Sequence, residues 1–143
     1  MTTLQHVTTF ENAQSISDYG FESTHGESGR GVYFFNPKSS SMRDYYLKTT
    51  HTPIIITVQI TDPILDLTSP TIKKELKLFA KQYLEKSKID DYIYKDPYLI
   101  ETFMNSHYPQ YQAYITRHFG SGIPDSKQYI VRNPRIIKIM SIK

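Results

Sequence analysis

The chain has 143 residues, a formal charge of +3, no cysteine and no tryptophan. That length suits a single domain (1–143) with one core, and is too short for separate cofactor and substrate domains. Without cysteine there are no disulfides, thiol nucleophiles or thiolate-bound zinc. No apolar run approaches the ~18 residues of a membrane span, so no membrane partner is expected.

In chain order, Leu4 to Val7 opens as a short strand, and Thr8-Thr9-Phe10-Glu11 fits a capping box for a helix reaching about Tyr19, stopped by Gly20. Residues 22–30, ESTHGESGR, read as a polar loop. Gly31 to Phe35 reads as a buried strand, and Asn36-Pro37 as the start of a helix through Met42, Tyr45 and Tyr46. Pro53 to Ile60, PIIITVQI, is the strongest strand signal, with ILDL after Pro63 as a shorter one. The period then changes. Ser69-Pro70 opens a helix with an apolar stripe of Ile72, Leu76, Phe79, Tyr83 and Leu84. Asp96-Pro97 opens a second, and Pro109 to Phe119 fits a third, stopped by Gly120. Asp90-Asp91 reads as a solvated turn. A loop, GSGIPDSK, leads to two closing strands, QYIV and RIIKIMSI, broken at Asn133-Pro134. The elements do not alternate regularly, so a doubly wound parallel sheet is not expected. The expectation is an α+β fold around a split antiparallel sheet, with a helical insertion at about 70–119.

Charge is uneven. Residues 1–69 hold 4 basic and 7 acidic side chains, whereas the last 17 residues hold Lys127, Arg132, Arg135, Lys138 and Lys143 and no carboxylate. A basic end suits a polyanion, and equally a solvated strand edge guarded by charge. Seven of the 12 tyrosines lie in the helical block, where they pack it or face a partner.

Common catalytic motifs are missing. There is no phosphate-binding glycine loop, no H-E-x-x-H and no serine in a nucleophile elbow, and the five histidines lack metal-ligand spacing, so no metal site is expected. The N-terminal MTTLQHVTTFENAQ has neither the basic start nor the apolar stretch of a secretory signal, which makes the cytoplasm the expected location.

Four segments, in order, resemble the ADP-ribosyltransferase fold of the diphtheria-toxin and poly(ADP-ribose) polymerase branch, known by a His–Tyr–Glu triad. They are His6-Val7-Thr8 with the helix ending at Gly20; Gly29-Arg30-Gly31-Val32-Tyr33-Phe34; Ser41 and Tyr45; and Gln128-Tyr129-Ile130-Val131 with Asn133-Pro134 and Ile136. The resemblance covers residues 4–60 and about 123–142. It implies NAD as co-substrate, cleaved at the nicotinamide–ribose bond through an oxocarbenium-like state, and no metal. It further implies that His6 and Thr8 bond the adenosine-side ribose, and that the Val7 backbone and the Ser41 hydroxyl hold the nicotinamide amide. Tyr33 and Tyr45 would sandwich the ring, and Arg30 would meet the pyrophosphate. Taken singly, each residue also has a structural use: His6 and Tyr33 in a core, Ser41 at a helix start, Thr8 as a cap.

The triad position of Glu holds Gln128, which is isosteric but cannot stabilise positive charge or take a proton. Loss of one electrostatic contact of this kind costs on the order of 10²–10³-fold in rate. Asp125 is the nearest acid and Ser126 stands two positions before. Three readings follow: a change that silences a toxic enzyme, which is preferred; a natural weak transferase; or a domain that binds NAD or ADP-ribose without reaction. By resemblance to small bacterial and phage toxin and defence enzymes, the expectation is a mono-ADP-ribosyltransferase restrained by an antitoxin or other inhibitory protein. Its acceptor is a macromolecule, nucleic acid before protein, since aromatics stack on bases. The alternatives are a non-catalytic module that binds NAD or ADP-ribose, an RNA 2′-phosphotransferase, whose extra basic and histidine residues have no counterpart placed here, and a plain interaction domain.

Overall fold

Among residues 1–83, 93–117 and 127–143, which the computed structural model describes, the elements run β1 (Thr2–Thr9), α1 (Phe10–Tyr19), β2 (Thr24–Gly26), β3 (Gly29–Phe34), α2 (Ser40–Thr49), β4 (Pro53–Ile60), β5 (Ile64–Asp66), α3 (Pro70–Ala80), α4 (Pro97–His107), β6 (Ala113–Arg117), β7 (Lys127–Val131) and β8 (Lys138–Ile142). The α+β class is as expected. β1, β4 and β8 form one antiparallel sheet, and a second has the order β2-β3-β7-β6-β5. Every pairing is antiparallel except β5 with β6.

β1 and β4 pair along their whole length, from Thr2 opposite Ile60 to Thr9 opposite Pro53. The β-branched run of β4 buries Ile56, Val58 and Ile60 completely. Among the described residues the second sheet joins this one where Gln5 and Phe35 exchange backbone N–H···O bonds of 2.9 Å each. Between the sheets lies one core, built on Leu4, Val32, Phe34, Ile56, Val58 and Val131.

The other face of the second sheet is covered by helices. Parallel strands cannot be joined by a tight turn, so β5 and β6 need a crossover, and α3 and α4 lie within it. α4 starts at an Asp96 cap, whose carboxylate accepts the Leu99 N–H at 3.0 Å. It buries Leu99, Ile100, Phe103 and Met104 against Tyr114, Ile130 and Leu76. Each such side chain removed from water contributes about 1.5–3 kcal/mol.

Four sequence expectations need correction. The segment read as a third helix, Pro109 to Phe119, holds the strand β6 instead. Ala113, Tyr114, Ile115 and Thr116 are all buried, because β6 is a central strand covered on both faces. A run buried all round shows neither period clearly, and helix and strand then look alike. The cap of α1 is Thr9 rather than Thr8: Thr9 Oγ1 accepts the Asn12 N–H at 3.2 Å. α2 begins at Ser40, with Asn36 closing a turn onto the Lys38 N–H (2.9 Å) rather than capping the helix. Residues 22–30 contain the hairpin strand β2. The two closing strands are broken at Asn133-Pro134 as expected, by a 3-10 turn at Pro134–Ile136. Leu84, Asp90, Asp91, Tyr92, His118, Phe119, Gly120, Asp125 and Ser126 lie outside the described residues. No described helix is long and apolar enough to cross a membrane.

Candidate active site

Register decides which side chains share a face. In the second sheet Tyr33 lies opposite Ile130, Tyr114 opposite Ile130, and Thr116 opposite Gln128. Side chains directly opposite one another project to the same side, and positions two apart along a strand do so as well. Tyr33, Gln128, Tyr114 and Thr116 therefore all leave the sheet on its helix-covered face. β1 reaches the edge of that face through the Gln5–Phe35 bridge and brings His6 with it. Where the two sheets part, a cleft of about 710 Å³ opens. Its walls are His6, Val7 and Thr8 of β1, Asn12, Ile16 and Tyr19 of α1, Glu22 and Glu27, Tyr33, Tyr46 and Gln128. A smaller pocket of about 90 Å³ shares His6, Val7, Tyr33, Tyr46 and Gln128 and reaches Phe34 and Phe35. The larger volume lies within the roughly 300–1,000 Å³ of small-molecule and cofactor sites.

His6 has a defined proton. Its Nδ1 lies 2.8 Å from the Tyr33 carbonyl oxygen, which can only accept, so Nδ1 carries the hydrogen. Burial lowers the pKa of the ring, outweighing the raising effect of that bond, and keeps it neutral. Nε2 is then an acceptor. The ring packs edge-on to Phe21 (5.5 Å) and Phe34 (5.8 Å). Thr8 is buried and, since Thr9 caps α1, its hydroxyl is not used for capping.

Tyr33 is tied to the turn before it. Its hydroxyl accepts the Ser28 N–H (3.1 Å) and donates to the Gly29 carbonyl (2.5 Å). Burial is the main reason its pKa is pushed up to about 12, with Glu27 and Glu101 adding to the rise. Tyr46 stacks on Phe35 (centroids 5.6 Å, planes 23°). Its pKa is raised by burial first, then by Tyr45 and Glu27. Gln128 is only 3% exposed and donates from Nε2 to Glu27 Oε1 at 2.7 Å. Opposite it, the buried Thr116 hydroxyl finds no partner among the described residues.

Of the residues singled out from sequence, His6, Val7, Thr8, Tyr33 and Gln128 line the cleft, and Arg30, Ser41 and Tyr45 do not. Arg30 is exposed on the far side of the β2–β3 hairpin, bonded to Ser23 Oγ (3.3 Å) and His25 Nε2 (3.0 Å), and lines a separate depression with Glu101 and Arg132. Arg30 stands near the hairpin end of β3, opposite His25 of β2, and its guanidinium is held by Ser23 and His25 away from the cleft. Ser41 is exposed near the start of α2. Tyr45 packs edge-on against Tyr46 (5.4 Å), and Tyr46 takes the cleft position. One residue along a helix is about 100° of rotation, and the Asn36-Pro37 signal marked a turn before α2 rather than its start at Ser40. Glu27 was missed because it stands in a segment read as a solvated loop. Among the described residues no lysine or arginine lines the cleft, and its fixed charges are carboxylates.

No protein-family model matches the chain, and a comparison with curated proteins finds no relative.

Proposed function

We propose that the chain is an NAD-dependent mono-ADP-ribosyltransferase acting in the cytoplasm, using NAD as co-substrate and no metal. The observation that supports this reading is convergence. His6, Thr8, Tyr33 and Gln128, chosen from segments more than a hundred positions apart, wall one cleft of suitable size. The chemistry of the walls is compatible. A neutral His6 with Nε2 accepting, and the Thr8 hydroxyl, suit the hydroxyls of a ribose. Tyr33 and Tyr46 offer aromatic faces to a flat ring, in place of the Tyr33–Tyr45 pair. Carboxylates, with no lysine or arginine among the described residues of the cleft wall, suit a ligand whose reacting end is cationic, as the nicotinamide ring of NAD and the developing oxocarbenium ion are.

The acceptor under this reading is a macromolecule, nucleic acid before protein. The exposed Tyr83 and Tyr98 (44% and 65%) pair edge-on at 6.0 Å beside the helical block and provide base-stacking area. An antitoxin-like inhibitory protein remains the proposed partner, on the resemblance alone. The second reading, a module that binds NAD or ADP-ribose without reaction, is favoured by the uncharged Gln128.

Titration calorimetry with NAD, paired with nicotinamide release in the presence of RNA, DNA or cell protein, tests the proposal. Wild type is expected to bind, and Tyr33→Ala to bind on the order of tenfold more weakly through loss of ring stacking. Absence of NAD binding by the wild type would leave an interaction domain. Binding without nicotinamide release by any form of the chain would leave the non-catalytic module. Label removed by nuclease but not protease supports the nucleic-acid acceptor, and the reverse removes it.

A further inference from the structure

Gln128 has no charge, yet a carboxylate stands against it. Glu27 sits in the turn between β2 and β3 and accepts the Gln128 Nε2–H at 2.7 Å. The turn is braced from several sides. The Tyr33 hydroxyl bonds Ser28 N–H and the Gly29 carbonyl, and the Tyr114 hydroxyl donates to the Ser28 carbonyl at 2.7 Å. Ser28 Oγ bonds the Tyr94 carbonyl, and Glu101 accepts the Arg30 N–H at 2.6 Å. Gly26 lies so close over the Tyr33 ring that a Cβ there would come within 2.4 Å of Cζ. Ser28 is wholly buried, and Tyr94 and Tyr114 are 2% and 1% exposed. These bonds anchor the residues that follow Glu27 to the sheet and to the segment before α4, and Gly26, which precedes it, packs against the Tyr33 ring. Its carboxylate is held within the cleft wall beside His6, Tyr33 and Tyr46. A group fixed before the substrate arrives needs no reorganisation when charge develops, which is the condition for electrostatic catalysis.

We propose that Glu27 supplies the catalytic negative charge of this site, and that Gln128 is the positioning residue that aims it. The inference rests on the transferase reading above. In the step, the bond between the nicotinamide nitrogen and ribose C1′ breaks, and its electron pair goes to the ring, which leaves as neutral nicotinamide. The positive charge left on the ribose lies against the Glu27 carboxylate. A lone pair of the acceptor, or of water, forms the new bond to C1′, and the acceptor's proton passes to Glu27 and then to solvent. No oxidant or metal is needed. The chain is then active as it stands, not silenced at position 128.

The test uses NAD alone, with water as acceptor, so that an unidentified macromolecule is not required. Calorimetry reports NAD affinity and nicotinamide release reports turnover, for wild type, Glu27→Gln, Glu27→Asp and Gln128→Glu. Wild type is expected to bind and release. Glu27→Gln keeps the shape and the bond to Gln128, so it binds within a few-fold of wild type but loses on the order of 10²–10³-fold in kcat. Glu27→Asp keeps the charge but shortens the reach, and falls between. Gln128→Glu sets a second carboxylate against the first and does not exceed wild type. Wild-type turnover in Glu27→Gln would overturn the assignment and leave the transferase reading intact. Release by Gln128→Glu but not by wild type would also overturn it, returning the charge to position 128. Failure of the wild type to bind NAD would overturn both.

Discussion

Tyr33→Phe removes one oxygen and leaves the ring. That oxygen accepts the Ser28 N–H at 3.1 Å and donates to the Gly29 carbonyl at 2.5 Å. Ser28 is completely buried, so its N–H cannot turn to water once the hydroxyl is gone. A buried donor left unpaired costs about 1–3 kcal/mol, and the second bond adds about 0.5–1.5 kcal/mol. The sum, about 1.5–4.5 kcal/mol, is a large part of a typical folding stability of roughly 5–15 kcal/mol but leaves the protein folded. For a chain of this size each kcal/mol corresponds to roughly 3–4 °C in Tm, so a drop of about 5–18 °C is expected by thermal circular dichroism. The loss should be coupled to that of Tyr114→Phe, because both hydroxyls hold Ser28. A double-mutant cycle should return an interaction of at least about 0.5 kcal/mol. In the NAD assay, affinity should change little while nicotinamide release falls, since the ring stays and the turn carrying Glu27 loosens. A Tm within about 1 °C of wild type would refute the bracing role of the hydroxyl.

Gly29→Ala combines a backbone φ of +114° with a Cβ 2.5 Å from the Tyr114 hydroxyl, so a loss of at least about 1–3 kcal/mol in urea denaturation is expected; an unchanged midpoint would mean the turn can move aside. On the alkaline side, burial pushes Tyr33 and Tyr94 up to about 12 and raises Tyr114 as well. Unfolded tyrosine ionises near 10, so stability should be full below that pH and fall as pH rises from about 10 to about 12, with tyrosinate absorbance appearing together with unfolding. Ionisation of all tyrosines near pH 10 in the folded chain would contradict it. On the acid side, burial holds His6 below its ordinary 6.5, so its contribution is full above that pH and is lost as pH falls below it. His6→Gln should flatten the fall in Tm between about pH 7 and 5, and an unaltered slope would show that His6 is not its source.

Most local elements were legible in short stretches of residues. β4 follows from a run of β-branched residues, and α3 and α4 from period and from Pro at the first helical turn after Ser69 and Asp96. The stop of α1 at Gly20, with φ +83°, follows from the one residue type that enters that region without penalty. These signals act over a few residues and need no partner. The residues of the cleft were legible only as scattered motifs, because no local rule says that His6 and Gln128 meet. Tertiary structure decided what depends on burial and register. Ala113 to Thr116 became a strand because β5 and β7 offered hydrogen bonds on both edges. Pairing register put Tyr33 and Gln128 on one face, and contacts with Ser23 and His25 hold Arg30 outside the cleft. The same folding carried Glu27, one acid in a segment that reads as a solvated loop, to 2.7 Å from Gln128, beside a turn held by Tyr33, Tyr94 and Tyr114 from three separate segments.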